Sequence, residues 1–180
     1  SSIKMYSDIV KNQPHQSETS ASLLDKIGSN SKEMIETMSD IVWMIKPGND
    51  AFENVENRML NFANELCGPH GINLEFDKNA TNSALKMPME LRRDLYLIFK
   101  EAINNAVKYS HCHTIHVAIS NLENRIEMRV SDDGIGFDPN AITTGNGLSN
   151  MQKRAVAHQG HITVQSSPGE GTEIIAEFPV

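Results

Sequence analysis

The chain has 180 residues, a formal net charge of -7, and 39% hydrophobic and 22% charged residues. This length fits one domain of ordinary size with a smaller helical element, and the composition is normal for a folded globular protein. The negative charge argues against a nucleic-acid-binding surface, which needs a basic stripe to neutralise phosphates. No apolar run approaches the roughly 20 residues that cross a bilayer as a helix.

Residues 1–47 are predicted to be mainly helical. A short helix over Ser1–Val10 is followed by a polar loop over Lys11–Ser20, and a second helix is expected from Ser22 to Ile45 because apolar residues recur at alternating steps of three and four. The positions on this seam are Leu24, Ile27, Met34, Met38, Ile41 and Ile45, with Ser31 in the polar slot. Such a heptad seam predicts a helical hairpin or dimeric bundle, and the alternative is one amphipathic helix packed on its own domain.

The turn Lys46–Asp50 contains a Pro-Gly pair and is the predicted boundary of a second domain over 48–180. The elements predicted there are helices over Phe52–Leu66, Pro88–Tyr109 and Leu148–His158, and strands over Ile72–Phe76, Ile115–Ile119, Ile126–Val130, Ile162–Gln165 and Thr172–Phe178. This order predicts an α+β fold, a two-layer α/β sandwich in which a mixed sheet carries helices on one face.

The helix Pro88–Tyr109 is predicted to carry a polar stripe beside its core face. At about 100° per residue, Glu101, Asn105 and Lys108 fall on one side, with Asn104 at the edge. The core face is expected to carry Leu95, Phe99, Ala102 and Ala106. An acid, an amide and a lysine in this arrangement can hold Mg²⁺ and the phosphates that it carries. The alternative is a solvated helix face.

Asp132 ends a strand and is followed by the glycine-rich segment Asp133–Phe137. Alternation places its carboxylate on the same face as Ile126, Met128 and Val130, which we expect to be buried. A buried carboxylate needs a hydrogen-bond donor, and the exocyclic amine of adenine would supply one. An ordinary β-turn with a pair of glycines is the alternative.

Two more glycine-rich segments follow, Gly145–Leu148 before a helix and Gly169–Thr172 between the last two strands. Glycines at a helix N-terminus leave backbone N–H groups and the positive end of the helix dipole facing an anion. Alone, the first segment is more often an ordinary loop before a helix, and the second would be interpreted as a hairpin turn.

Taken in order, these four segments resemble the motifs of the GHKL ATPase superfamily, and within it the sensor histidine kinases of two-component systems. Glu101–Lys108 looks like the N-box, Asp132–Gly136 matches the DxGxG box, and Gly169–Thr172 matches the last glycine box. Gly145–Met151 looks like the GxGLxNM version of the remaining box, which is typical of the subfamily of nitrate and nitrite sensors. The resemblance covers roughly the C-terminal two-thirds of the chain and implies the GHKL (Bergerat) fold.

The resemblance also implies roles for individual residues, with ATP and Mg²⁺ as the ligands. Asn105 would coordinate Mg²⁺, Glu101 would act as a base or position a water, and Lys108 would meet phosphate. Asp132 would recognise adenine. The other residues expected along the nucleotide are Asn104, Gly134, Gly136, Gly145, Gly147, Leu148 and Thr172, with a lid over Phe137–Asn146.

The N-terminal part resembles the second helix of a dimerisation hairpin at Asp40–Pro47. No histidine of the chain carries the acceptor motif, since His15 is followed by Gln16 and Ser17. We therefore expect the phosphoacceptor histidine to lie upstream of residue 1, and the chain to bind ATP without phosphorylating itself.

The resemblance further implies a homodimer formed through the hairpin, a response regulator receiver domain as partner, and a cytoplasmic location within a parent anchored in the bacterial inner membrane. Two alternatives stay open: a GHKL regulator that phosphorylates serine or sequesters a transcription factor, as anti-sigma kinases do, and a non-catalytic module that dimerises and senses nucleotide. The heptad helix and the segment Trp43–Pro47 favour the sensor kinase over the small regulators, and the intact motifs argue against a degenerate site.

The cysteines and histidines do not form a recognised metal-binding motif. Cys67 and Cys112 lie in unrelated segments without C-x-x-C spacing, so we expect two free thiols in a reduced cytosolic protein. On a strand, His111 and His113 share a face while His116 points to the other, so a zinc site there would need a bend.

Overall fold

The computed structural model describes residues 17–46, 51–77, 87–122, 125–139 and 146–179. The chain divides into two compact units, 1–46 and 47–180. The short helix expected over Ser1–Val10 lies outside the described residues. Within the ranges given, no helix is both long and apolar enough to cross a membrane.

In the first unit, helix α1 spans Ser17–Ile45. The predicted start at Ser22 was wrong, because Ser17–Ser20 are helical instead of belonging to a loop. This segment contains neither proline nor glycine, and its serine, threonine and glutamate residues are the types favoured in the first turn of a helix.

The predicted seam of α1 is largely exposed to solvent. Leu24, Met34 and Met38 are 55%, 55% and 64% exposed, and the neighbouring Ile35 and Val42 widen the same apolar stripe. Ile27 and Ser31 are half-buried, and the side chains of Ile41 and Ile45 lie outside the described part of the chain. A stripe of this kind on the surface of a soluble protein is typical of an interaction site.

The second unit contains three helices and five strands among its described residues. They are α2 (Phe52–Cys67), β1 (Asn73–Asp77), α3 (Met89–Asn105), β2 (Thr114–Leu122), β3 (Arg125–Asp132), α4 (Gly147–Val156), β4 (His161–Ser166) and β5 (Thr172–Pro179). The strands form one sheet in the order β1-β2-β3-β5-β4. Only β1 and β2 pair in parallel among these strands, so the sheet is mixed, as predicted.

The core lies between one face of the sheet and the helices. Alternate residues of β2 and β3 are almost fully buried on this face, as the sequence predicts: Ile115, Val117, Ile119, Ile126, Met128 and Val130. The predicted core face of α3 is also confirmed, since Leu95, Phe99, Ala102 and Ala106 are buried. The opposite face of the sheet carries polar residues, including the ion pair between Arg129 and Glu173 at 3.4 Å. The predicted two-layer α/β architecture is therefore correct.

Helix α3 ends earlier than predicted. Its α-helical part stops at Asn105, and the chain widens into one π turn over Ala106–Ser110 instead of continuing as an α-helix to Tyr109. The hydroxyl of Ser110 donates to the Ala106 carbonyl at 2.7 Å, and His111 terminates the turn with a left-handed φ of 54°. Turns of this type occur frequently at functional sites, and this one overlaps the end of the N-box-like segment.

Candidate functional site

Helix α3 places two of the predicted site residues in contact. The side-chain amide of Asn105 donates to the Glu101 carboxylate at 3.4 Å, and both residues are half-buried. The carbonyl oxygen of the Asn105 side chain has no donor among the described residues. Oxygen ligands of this type are those that Mg²⁺ prefers, so the Glu101–Asn105 pair fits a magnesium ion.

The other two polar residues of this stripe are placed differently. The amide of Asn104 donates to the backbone carbonyl of Lys100 at 2.8 Å, one turn earlier in α3, so its amide is already used within the helix. Lys108 is exposed on the π turn and forms no ion pair within the described part of the chain. Its ammonium group is therefore available to an anionic ligand.

The first residue of helix α4 lies against this pair. A Cβ atom on Gly147 would overlap a carboxylate oxygen of Glu101 and lie 3.6 Å from the Asn105 amide nitrogen. Helix α4 has no side-chain cap at its N-terminus and no acidic residue in its first turn. The first turn of α4 therefore lies beside Glu101 and Asn105, and the first N–H groups of a helix have no acceptor within the helix. Gly145, the other glycine of this segment, lies outside the described residues.

Asp132 lies at the end of β3, beside α3. Asp132 is half-buried and not fully buried as the sequence predicts, and its carboxylate accepts the backbone N–H of Gly134 at 2.9 Å. Burial raises the pKa of Asp132 above its usual value, although hydrogen bonds from the backbone N–H groups of Gly134 and Thr172 oppose this effect. The carboxylate is thus only partly satisfied by the protein.

Asp133, the next residue, has a different environment. Its exposed carboxylate accepts the backbone N–H groups of Thr114 at 2.9 Å and His113 at 2.7 Å. These bonds, the one from Thr114 foremost, lower the pKa of Asp133. Asp133 therefore fastens the loop to the start of β2, and only Asp132 is left for a ligand.

Both glycines of this loop are in contact with backbone. A Cβ on Gly134 would overlap the Ser110 carbonyl oxygen, and one on Gly136, whose φ is 57°, would overlap the Ser167 carbonyl oxygen. In addition, the N–H of Ile135 donates to the Ser110 carbonyl at 2.7 Å. The glycines therefore let the loop lie close to the π turn and to the β4–β5 connection. Their predicted contact with nucleotide stays a prediction.

Thr172 lies directly opposite Asp132 in the β3–β5 pairing, so the two residues share a face of the sheet. Its hydroxyl is 3.0 Å from the hydroxyl of Ser166. Sequence reasoning missed Ser166, which also accepts the Phe137 N–H at 2.9 Å and donates to the Gly171 carbonyl at 2.8 Å. A lone serine at a strand end belongs to no motif, so its hydrogen bonds to other segments could not be predicted from the sequence.

Leu148, half-buried in the first turn of α4, follows Gly147 directly.

The histidines and cysteines that the sequence singles out differ in their exposure. His111, His113 and His116 are exposed, whereas Cys67 and Cys112 are buried free thiols. In the part of the chain that the structure describes, no group of three or more histidine, cysteine, aspartate or glutamate residues is placed to share a metal ion.

Comparison with known proteins gives one family and several relatives. Residues 90–180 match the family described as histidine kinase-, DNA gyrase B-, and HSP90-like ATPase. The oxygen sensor histidine kinase NreB of Staphylococcus carnosus (strain TM300) is 33% identical over 115 residues, which cover 62% of this chain and 32% of NreB. The chain therefore spans about a third of the length of that relative.

Solved structures give the same fold. The histidine kinase AdeS of Acinetobacter baumannii superimposes with a TM-score of 0.66 at 16% identity, covering 99% of this chain and 95% of AdeS. Full-length ShkA in complex with AMPPNP superimposes with a TM-score of 0.62 at 18% identity, covering 90% of this chain and 39% of ShkA. The fold of this chain is therefore that of known histidine kinase structures.

Proposed function

The chain belongs to the family of histidine kinase-, DNA gyrase B- and HSP90-like ATPases, and from this premise we propose that it is the ATP- and Mg²⁺-binding catalytic part of a sensor histidine kinase. The observation that carries the proposal is the convergence of Glu101, Asn105 and the uncapped N-terminus of α4 at one place. That convergence combines oxygen ligands for a cation with N–H groups for an anion, as a magnesium–phosphate group requires.

We assign the adenine end of the site to Asp132. Its carboxylate accepts only part of the hydrogen bonding it can use from the chain, and the exocyclic amine of adenine is a suitable further donor. Thr172, paired across from it, would support this end from β5. The complex of ShkA with AMPPNP supports an adenine nucleotide as the ligand of this fold.

At the phosphate end, Asn105 would hold Mg²⁺ through its side-chain carbonyl, and Lys108 would meet phosphate oxygens as a point charge. Bound Mg²⁺ supplies charge neutralisation for the transferred phosphoryl group. Glu101 would orient or deprotonate the attacking group, and the first turn of α4 at Gly147 and Leu148 would donate N–H groups. Because phosphoryl transfer relies mainly on positioning and electrostatics, these residues are of the kinds that the reaction needs on the nucleotide side.

We further propose that the γ-phosphate passes to a histidine on the hairpin and then to an aspartate of a response regulator receiver domain. The similarity to NreB supports this reaction over that of a serine kinase regulator. The exposed apolar stripe of α1 supports the hairpin homodimer. In the single chain its leucine and methionine side chains are exposed to solvent, and a second copy would bury them. Attachment of the parent protein to the inner membrane stays a prediction.

The decisive experiment is calorimetric titration of AMP-PNP, with and without Mg²⁺, into the wild type and Asn105→Ala. We expect binding that depends on Mg²⁺ in the wild type and loses that dependence in the variant. Asn64→Ala, the same substitution on the exposed side of α2, serves as the control and should bind as the wild type does. A wild type that shows no saturable binding would contradict the nucleotide site.

A second measurement tests the reaction. The chain is incubated with γ-labelled ATP, and incorporation of label into the protein is followed. We expect no self-labelling, because none of the 7 histidines is followed by the acidic residues of an acceptor motif. Label that appears on a histidine of this chain would contradict the assignment of the acceptor to another segment.

A further inference from the structure

A buried ion cluster lies on α3, away from the residues assigned above. The Asp94 side chain is only 6% exposed, and its carboxylate accepts four hydrogen bonds. Two come from Arg93 at 3.1 and 3.2 Å, one from Arg154 at 3.1 Å and one from the His158 ring at 2.8 Å. These partners lower the pKa of Asp94 despite its burial, so the carboxylate is ionised at neutral pH.

The partners of Asp94 connect two helices. Arg93 belongs to α3 itself, whereas Arg154 lies in the last turn of α4 and His158 follows that helix. At the other end of α4, Gly147 lies against Glu101. Asp94 and Glu101 are seven residues apart in α3, and Gly147 and Arg154 are seven apart in α4, about 10.5 Å in each helix. The two helices therefore run antiparallel in matched register, with α4 contacting α3 at both ends.

Helix α4 also packs against β4 and β5, but it buries few side chains in doing so. The helix has 10 residues, and only Met151 and Ala155 are buried. Isolated helices shorter than about 12–15 residues are marginal in water, so α4 depends on tertiary contacts for its position. The Asp94 carboxylate forms hydrogen bonds with Arg154 and His158 of the α4 segment. These bonds fix the orientation of the helix, which the apolar contacts of Met151 and Ala155 do not.

We propose that Asp94 is a positioning residue for nucleotide binding: through Arg154 and His158 it holds α4 so that the first turn, at Gly147, faces the Glu101–Asn105 pair. The inference rests on the proposed function, since the first turn of α4 is assigned there to the phosphates. Asp94 does not touch the ligand. It sets the direction of the N–H groups that do.

The test compares substitutions that remove different partners of the same carboxylate. Arg154→Gln and His158→Gln each remove one of the two links from Asp94 to the α4 segment, whereas Arg93→Gln removes a partner within α3 and leaves both links intact. Each variant is titrated with Mg²⁺–AMP-PNP and with AMP, which lacks the β- and γ-phosphates. We expect Arg154→Gln to weaken AMP-PNP binding by about tenfold while AMP binding changes less than about twofold, because only the outer phosphates meet α4.

Arg93→Gln should change the affinity for either nucleotide by less than about twofold, and Arg154→Lys should recover most of the lost AMP-PNP affinity because it keeps the charge. Equal weakening for AMP and AMP-PNP, or unchanged AMP-PNP binding in Arg154→Gln, would overturn the positioning role. If the wild type binds no nucleotide, both the proposed function and the positioning role are overturned. Arg154 is 38% exposed, so its variants are expected to fold even if Asp94→Asn does not, and thermal unfolding of each variant checks this.

Discussion

The carboxylate of Glu101 fills the space beside Gly147 where any other residue would carry its Cβ atom. The candidate base and the candidate phosphate-binding helix end are therefore direct neighbours, although they lie far apart in the sequence. A carboxylate next to a helix N-terminus is stabilised by the helix dipole. The same helix end is the one proposed for phosphate, so Glu101 and a bound nucleotide would compete for it.

This competition predicts that Glu101→Gln binds nucleotide more tightly without Mg²⁺. Removing the negative charge eliminates repulsion between the carboxylate and the phosphates, and we expect the Kd of AMP-PNP to fall by about threefold to tenfold, as a change near 1 kcal/mol implies. Calorimetry measures the change. Glu90→Gln, an exposed position of α3 with the same change in net charge, is the control and should leave the Kd unchanged. A higher Kd in Glu101→Gln would mean that the carboxylate helps to bind the ligand.

Gly147→Ala tests the same contact from the other side. The new methyl group displaces the end of a flexible, half-buried side chain, so the free energy of unfolding should change by less than about 1 kcal/mol, with the helix preference of alanine offsetting part of the cost. Because Glu101 must move away from Asn105, we expect weaker Mg²⁺–AMP-PNP binding. Gly68→Ala is the matched control, since a Cβ there meets nothing within 4 Å. Wild-type affinity in Gly147→Ala would show that the Glu101 position is unimportant for the ligand.

The position of Asp132 has a cost in stability that depends on pH. Burial raises its folded pKa above the unfolded value of about 3.9, so the folded chain holds the proton more tightly and the free energy of unfolding falls as pH rises through that window. Asp132→Asn removes this pH-dependent contribution to the free energy of unfolding, and its side-chain oxygen can still accept the N–H of Gly134. We expect the variant to be more stable than the wild type at pH 7 and to lose adenine nucleotide binding.

Urea unfolding of both proteins at pH 7 and near pH 3 checks this prediction for Asp132. The stability difference should shrink at the lower pH, where the wild-type carboxyl is protonated in both states. If Asp132→Asn destabilises the chain equally at both pH values, hydrogen-bond geometry and not charge dominates at this position.

The exposed stripe of α1 predicts self-association that a charge would weaken. Met38 is 64% exposed, and Met38→Glu places a carboxylate in the middle of the stripe, where burial against a second copy would be costly. We expect the dimer dissociation constant from sedimentation equilibrium to rise at least about tenfold, as a loss of about 1.4 kcal/mol implies. Ser22→Glu adds the same charge on the opposite side of α1 and should leave the constant unchanged. Equal effects of the two substitutions would contradict an interface on this stripe.

The sequence predicts the sheet and its buried face because both follow from a local period. Ile115, Val117 and Ile119 alternate along β2, and each is buried as the alternation requires. The polar stripe of α3 follows in the same way from helical spacing, and Asn105 does meet Glu101. Local sequence patterns therefore predict on which face of a helix or strand a residue lies.

Sequence reasoning could not give the partners that come from elsewhere in the chain. Asp94 meets Arg154 and His158 across two helices, and Ser166 joins Phe137 to Gly171 through one hydroxyl. Neither contact has a periodic signature, since each depends on how separate elements pack. The π turn after Asn105 was missed for a similar reason, because its end is set by packing against Gly134 and Ile135.

The last prediction separates backbone strain from close packing in the loop after Asp132. Gly136 and Gly169 both have positive φ, 57° and 88°, but a Cβ on Gly136 would overlap the Ser167 carbonyl oxygen, whereas one on Gly169 meets nothing within 4 Å. An L-residue with left-handed φ costs about 1–2 kcal/mol, and overpacking adds about 1–3 kcal/mol. We therefore expect Gly169→Ala to lower the free energy of unfolding by about 1–2 kcal/mol and Gly136→Ala by about 2–5 kcal/mol.

Urea unfolding measures both values, and AMP-PNP binding is measured in parallel on the folded variants. The loop of Gly136 begins at Asp132, so Gly136→Ala should also weaken nucleotide binding, whereas Gly169→Ala should leave it within about twofold of the wild type. Equal stability losses in the two variants would mean that the loop shifts away from Ser167 at no cost. In that case the contact between this loop and the β4–β5 connection would not be what holds Asp132 in place.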